Sequence, residues 1–464
     1  VNTDYQSRLG LAYAPSAYQS EIFSWIESRR GHAVVEAVAG SGKSTTILSA
    51  ARLISGDGLF LAFNKTIADK LGAELAGTSM RASTIHSHGF ACVRFCSGVN
   101  PRIDSAKYAV YVDDARKAIE ARGALRGQAL TTEQLDEIYG GDGFPTRACE
   151  RLIDLARLSL LDTDAATFGD DLLALAERHD LADFDQCLDP IVIAVVRRCM
   201  EIGADTWETI DFTDMVWLPV VNRWAPKSYS WVFVDECQDI SRAALALVRK
   251  SVRRGGRILF VGDRRQAIYG FAGADAASFQ RIVDECKADV LPLSVCYRCP
   301  TAVLDRARAY CPQIEARPSA PTGVVRVAKR AEYVAEAKEG DMVLCRRNAP
   351  LLGLCFELIA EGIPAVVRGR DIAAGLSKIV TKVAKRSPWP AFLGLLAAWE
   401  AKQVQAINAR VKDADTRADR IDLVTDQAEA IRVILARSGA TSADGLRAEI
   451  DALFSDDRAS IVLS

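Results

Sequence analysis

The stretch Ala37-Val-Ala-Gly-Ser-Gly-Lys-Ser44 constrains this chain more than any other. An apolar run over Ala33–Val38, broken only by Glu36, leads into it, and helical character over Ser44–Ile54 follows. Glycines at 40 and 42 admit backbone conformations closed to other residues, so successive N–H groups can turn toward one point. The helix beyond adds the partial positive charge of its N-terminus. Strand, glycine-rich turn and helix in this order open a parallel α/β sheet with an anion site at its carboxyl edge. The pattern departs from G-x-x-x-x-G-K-[ST] only in having Ala37 at its first position. The segment Ala37, Val38, Ala39, Gly40, Ser41, Gly42, Lys43, Ser44 and Thr45 is therefore expected to cradle the phosphates of ATP. Lys43 would bridge the outer phosphates, and the Ser44 hydroxyl would join the shell of a Mg²⁺ ion.

A second segment supplies the acid that such a site needs. Trp231-Val-Phe-Val-Asp-Glu-Cys-Gln-Asp239 is a buried-strand pattern ending in adjacent carboxylates. Asp235 is expected near Mg²⁺, and Glu236 is expected to take a proton from water. Strand alternation predicts that the two side chains diverge, one toward metal and one toward water.

Composition narrows the partners. Lys and Arg number 58 against 60 for Asp and Glu, leaving a net charge of −2, so nucleic acid would have to be met by a local groove. Hydrophobic residues make up 49% and charged residues 25%, which excludes a disordered or polybasic chain. Apolar runs are short of membrane-spanning length, since Ile191–Val196 is followed at once by Arg197 and Arg198, and no secretory signal opens the chain. A soluble, cytoplasmic protein is expected. The twelve cysteines read as reduced thiols, many of them within apolar stretches. Cys296 and Cys299 form a CxxC with no second such pair, and Cys92 and Cys96 lack further partners, so no metal site is expected.

Short β-rich runs alternate with helical ones up to about residue 95, with strands expected at Ala33–Val38 and Leu59–Phe63. Helices are expected at Lys107–Arg122, Arg147–Leu161, Asp170–His179 and Pro190–Ile202. Strands return at Trp231–Val234, Arg257–Val261 and Val290–Val295. A further α/β region follows, with strands at Val324–Val327, Met342–Cys345 and Ala365–Val367 and a helix at Leu351–Glu361. Helices come next at Ala391–Val411 and Asp426–Arg437, parted by a charged stretch. Thr441 with Asp444 reads as a helix cap, and Ala459–Leu463 opens a buried strand.

Several short motifs fall in one order along the chain. Ser16-Ala-Tyr-Gln19 precedes the phosphate turn, and Ala62-Phe-Asn-Lys-Thr66 and Thr84-Ile-His-Ser87 follow it. After Asp235-Glu-Cys-Gln-Asp239 come Gly262-Asp-Arg-Arg-Gln-Ala-Ile-Tyr-Gly-Phe271 and Tyr297-Arg298. In this order the chain resembles UvrD/Rep-like superfamily 1 DNA helicases over about residues 10 to 370. The resemblance implies a RecA-like P-loop motor domain (1–95 and 205–290) with a helical insertion (96–204). A partial second RecA-like domain (291–377 and 458–464) with its own helical insertion (378–457) would follow.

The resemblance also implies roles. Gln19 would read the adenine edge and Tyr297 would stack on the base. Gln266 would sense the γ-phosphate, and Arg298 would act as an arginine finger from the second motor domain. Phe63, Tyr269 and Phe271 would stack on successive bases, with Asn64, Thr84 and His86 on the strand's backbone. His88 is expected to be structural. The family further implies 3′-to-5′ movement on single-stranded DNA or single-strand/double-strand junctions, driven by ATP with Mg²⁺. Two departures stand out: Ala272 replaces a frequent arginine, and the family's motifs V and VI have no counterpart. The chain thus resembles a helicase truncated at its C-terminus, and an ATP- and DNA-binding module with little unwinding, or a helicase–nuclease subunit, are the alternatives. A P-loop kinase is disfavoured, because D-E-x-Q-D and Gln266 have no role there.

Overall fold

The computed structural model describes residues 4–28, 31–121, 146–179, 181, 190–266, 278–345, 348–361, 363, 365–367, 370–384, 389–410, 414–454 and 461–463. It divides into two compact units, Val1–Val325 and Arg326–Ser464.

The first unit is built on a parallel sheet. Its strands are β1 (His32–Ala37), β2 (Gly58–Ala62), β3 (Met80–Thr84), β6 (Tyr229–Val234), β7 (Val252–Gly262) and β8 (Ala288–Leu293). They lie in the order β3-β2-β6-β7-β1-β8, and every adjacent pair is parallel. Period-two alternation sends side chains into two cores, because helices cover both faces of such a sheet. Ala33, Val35, Phe60, Trp231, Phe233, Leu259 and Val261 fill one. Val34, Leu59, Leu61, Val232, Val234, Ile258 and Phe260 fill the other. β7 lies between β1 and β6, with Glu36 opposite Gly262 and Val234 opposite Phe260. The turns leaving these three strands therefore share one edge, where ligands of open α/β sheets bind.

Helices form at Lys107–Ala121, Thr146–Leu158, Phe168–Arg178 and Pro190–Ala204. They close on one apolar core that includes Leu152, Phe168, Val195 and Cys199. The short strands β4 (Arg102–Ile103) and β5 (Thr209–Ile210) pair in parallel on either side of it. Helices Ile85–Ser97 and Phe212–Val221 approach so closely that a Cβ on Gly89 would sit 2.0 Å from the Met215 carbonyl oxygen.

β9 (Val295–Cys296) and β10 (Glu315–Ala316) pair in parallel and stay with the first unit. Residues 291–293 complete β8, and Cys296, Leu304 and Ile314 pack on Val38.

In the second unit β11 (Met342–Val343), β12 (Ala365–Val367) and β13 (Ile461–Leu463) form a parallel sheet in the order β11-β13-β12. The apolar tail therefore does enter a buried strand, with Ile461 and Leu463 wholly covered. Three expectations are corrected here. Val324–Val327 is no strand: Val324 and Val327 are 82% and 96% exposed, and no neighbour completes a ladder there. The charged break before Asp426 is instead part of one helix, Ala414–Ser438. The cap at Thr441 belongs to Ser442, whose Oγ accepts from the Gly445 N–H at 3.1 Å.

Candidate active site

β1 ends at Ala37, and the chain turns through Val38–Gly42 into helix Lys43–Ala51. Gly40 and Gly42 take φ of 72° and 78°, the left-handed region that side chains resist. A Cβ at Gly40 would also lie 2.9 Å from both Cys296 Sγ and Arg298 Cβ. Val38 is buried, Ala39 is exposed, and Ser44 and Thr45 are exposed on the first helical turn. Ser41 is fully buried, and among the described residues its Oγ has no hydrogen-bond partner. An orphaned hydroxyl within a glycine-turned loop at a helix N-terminus suits a loop shaped for a group not yet in it.

Lys43 Nζ donates to both carboxylate oxygens of Glu236, at 2.8 and 3.0 Å. Strand alternation does not set these two carboxylates, because the strand ends before them. β6 stops at Val234, and Glu236 itself adopts φ 49°, ψ 45°, a left-handed turn that costs a non-glycine residue about 1 kcal/mol or more. Asp235 Oδ1 accepts from the Glu236 N–H at 3.0 Å. Burial, with the Glu236 charge second, raises the Asp235 carboxyl from 3.8 to about 6, against a smaller downward pull from Lys43.

From Glu236 a relay of hydrogen bonds runs across the sheet edge. Gln238 Nε2 donates to Glu236 Oε2 at 2.9 Å, and its Oε1 accepts from the Asp263 N–H at 3.1 Å. Asp263 Oδ2 accepts from Gln266 Nε2 at 2.7 Å. Gly262 makes room for this chain, since a Cβ there would collide with Gln238 Oε1 at 2.4 Å. Lys43, Glu236 and Gln266 are thus joined through hydrogen bonds from three turns, one of them made by the Asp263 backbone N–H.

Gln19 is buried at the other end of the loop. Its Nε2 donates to Thr46 Oγ1 at 3.0 Å, and its Oε1 accepts from the Ser16 N–H and the Tyr297 hydroxyl at 3.0 and 3.3 Å. The Tyr297 N–H donates to the Gly40 carbonyl at 2.9 Å. Arg298 is exposed beside the same loop and lies in the first unit. The sequence reading missed Tyr13, whose ring lies 6.4 Å from that of Tyr297 at 44°. An isolated tyrosine six residues before Gln19 carries no pattern of its own.

The second group of residues lies beyond β2 and β3. Phe63 is 40% exposed just after β2. Asn64 Oδ1 accepts from the Ile67 N–H at 2.9 Å and Thr84 Oγ1 from the Ser87 N–H at 3.0 Å, so both side chains cap helices. His86 is exposed, and its ring stands edge-on to Phe212 at 6.4 Å. Phe212, 59% exposed, was also missed; its signal is a lone aromatic at a helix start, between Asp211 and Asp214. His88 is buried, 2.8 Å from Ser251 Oγ, and burial lowers it to about 4, so it stays neutral. Tyr269 and Phe271 lie outside the described residues. Among those residues no cluster of metal-ligating side chains occurs, and no helix is long and apolar enough to cross a membrane.

Comparison with known proteins gives one match by family: the UvrD/REP helicase N-terminal domain, over residues 19–287. The chain is also similar to DNA helicase II of Escherichia coli, 28% identical over 123 residues, covering 25% of this chain and 17% of that protein. It is 30% identical over 111 residues to the ATP-dependent DNA helicase PcrA of Staphylococcus aureus, covering 22% and 15%. With DNA helicase II of Haemophilus influenzae the identity is 27% over 89 residues, covering 19% and 12%. These matches span less than a fifth of the length of those curated relatives.

Proposed function

The chain belongs to the UvrD/REP helicase family, and on that premise we propose that it is the ATP-hydrolysing part of a motor moving 3′ to 5′ on single-stranded DNA. The observation that carries the reading is the joined path Lys43–Glu236–Gln238–Asp263–Gln266. Lys43, held by Glu236, is the cation that the outer phosphates of ATP would recruit. Its departure frees the Glu236 carboxylate to accept a proton from the attacking water. Gln238 and Asp263 carry that change to Gln266, at the start of the segment that holds Tyr269 and Phe271. Tyr297 would stack on the adenine with Tyr13 as a second ring, while Gln19 fixes the base edge and Arg298 meets the γ-phosphate. Mg²⁺, when bound with ATP, would be held by Ser44 and Asp235 and would neutralise charge on the phosphates.

The test is ATP turnover with and without single-stranded DNA. Hydrolysis that DNA stimulates is expected; a protein that binds no nucleotide would sink the reading.

Acidity gives a second handle. A cation takes the ionised carboxylate, so Mg²⁺ affinity is full above the Asp235 value of about 6 and falls about tenfold per pH unit below it. The metal-free fold follows the opposite sign. A raised carboxyl contributes stability that is present below 3.8 and lost as pH rises through about 6. Calorimetric Mg²⁺ titrations with ADP between pH 5 and 8 check this, and a flat profile would remove Asp235 from the metal site.

On the DNA side, Phe63, His86 and Phe212 supply the exposed rings, and Asn64 and Thr84 fix the helix starts that present them. Phe212→Ala is expected to weaken binding of a fluorescent oligothymidine by about 5- to 100-fold, the worth of one base–aromatic stack, with nucleotide affinity retained. An unchanged DNA affinity would return Phe212 to an incidental surface position.

A further inference from the structure

We propose that Cys296 and Cys299 form a modification site: a reversible disulfide that loosens the nucleotide pocket when it closes. Cys296 is fully buried at the end of β9, while Cys299 is half-buried after the bend at 297–299. Both belong to the small apolar cluster that holds Val38 of the phosphate loop, and they stand three residues apart in the chain.

The position of the pair gives it consequence. Cys296 Sγ supports the loop from beneath, 2.9 Å from where a Cβ on Gly40 would be. The two residues between the cysteines also touch that loop. The Tyr297 N–H holds the Gly40 carbonyl at 2.9 Å, its hydroxyl holds Gln19, and Arg298 Cβ packs on Gly40. Two thiols must close to about 2.05 Å to form a disulfide. Cys296 is fixed by the pairing of β9 with β10, so the bend at 297–299 absorbs the movement. Tyr297 and Arg298 then shift against the loop. Cys92 and Cys96, with sulfurs 4.0 Å apart, make the contrast: both ride on one helix and neither touches the phosphate loop.

With a peroxide as oxidant the step balances. The Cys299 thiolate attacks one peroxide oxygen, giving a sulfenic acid and the first water. The Cys296 sulfur displaces hydroxyl from that sulfenic sulfur; an S–S bond forms, a second water leaves, and two thiol protons end in water. A dithiol reductant reverses it. Burial and the neighbouring Cys296 push the Cys299 thiol up, so it is protonated near neutral pH and its reaction with peroxide quickens as pH rises.

The effect on affinity rests on the nucleotide reading above; the disulfide itself does not. The whole chain is treated with hydrogen peroxide, its disulfides are mapped by mass spectrometry, and the Kd of a fluorescent ATP analogue with Mg²⁺ is measured before and after. A Cys296–Cys299 bond is expected, with affinity weakened about tenfold, recovered on adding dithiothreitol and unresponsive in Cys299→Ser. The inference is overturned if both thiols stay alkylatable, if the bond maps to Cys311, or if reduced and oxidised protein bind alike. Reduced protein that binds no nucleotide sinks the nucleotide reading and the affinity effect with it, whereas the mapping separately decides the bond.

Discussion

Lys43→Ala is expected to lower ATP turnover by about 100- to 1,000-fold, the usual cost of removing one preorganised charge from a transition state. The size follows from the absence of a substitute. Arg298, placed at the γ-phosphate from beside the loop, does not take the position of Lys43 on Glu236, and Arg264 and Arg265 sit 3.8 and 3.7 Å from Glu36. Lys43→Arg should rescue little, because a planar guanidinium cannot replace a compact ammonium where Nζ meets both Glu236 oxygens at 2.8 and 3.0 Å. Removing the lysine also deletes its pull on Asp235, so that carboxyl rises above its value of about 6 and the Mg²⁺ profile moves to higher pH.

Glu236→Gln separates binding from chemistry. Glutamine keeps the length of the side chain but cannot serve as the base, so nucleotide affinity should survive while single-turnover hydrolysis is lost. Lys43→Ala at half the parent rate, or Glu236→Gln hydrolysing normally, would dismantle the assignment of both residues.

Most of the first unit was legible because its signals are local. β6 carries the apolar run Trp231–Val234 and β7 the run Ile258–Val261, and the glycine turn after β1 dictates what must follow it. The misses have local causes too. β3 carries Arg81, Ser83 and Thr84 at the edge of the sheet, where only Met80 of its five residues is buried and no apolar alternation survives. Val324–Val327 has the β-branched content of a strand without a neighbour to pair with. The charged stretch before Asp426 lies within one long helix, Ala414–Ser438, and is not a break in it. Tyr13, Phe212 and the CxxC gain meaning only from partners far along the chain, which no window of adjacent residues displays.

The ion network around Arg157 is the extreme case of such distance, and Arg157→Ala is expected to cost about 3–5 kcal/mol of stability, as breaking a buried pair does. Arg157 is wholly buried in the helical insertion. Its guanidinium donates to Asp154 at 2.5 Å, to Asp211 at 2.9 and 2.7 Å and to Asp214 at 2.7 Å, and it lies 3.7 Å over the Tyr108 ring. Lys107 Nζ meets Asp214 at 2.6 Å. Two cations therefore serve three carboxylates, and losing one leaves Asp214 buried with too little compensation. Burial already raises the Asp214 carboxyl, with Arg157 the foremost opposing pull. Without that pull it rises further, and stability present below 3.8 is lost as pH climbs through the new value. The deficit of the variant should thus widen with pH in urea unfolding. Arg157→Lys should recover only part of it, lacking the fork that spans Asp211 and Asp214. The same carboxylates form the capping box of the helix that begins at Phe212. If that cap presents Phe212 to a DNA base, Arg157→Lys should also weaken oligothymidine binding while leaving nucleotide affinity intact. Full stability or unaltered DNA affinity in that variant would separate the buried network from the surface it supports.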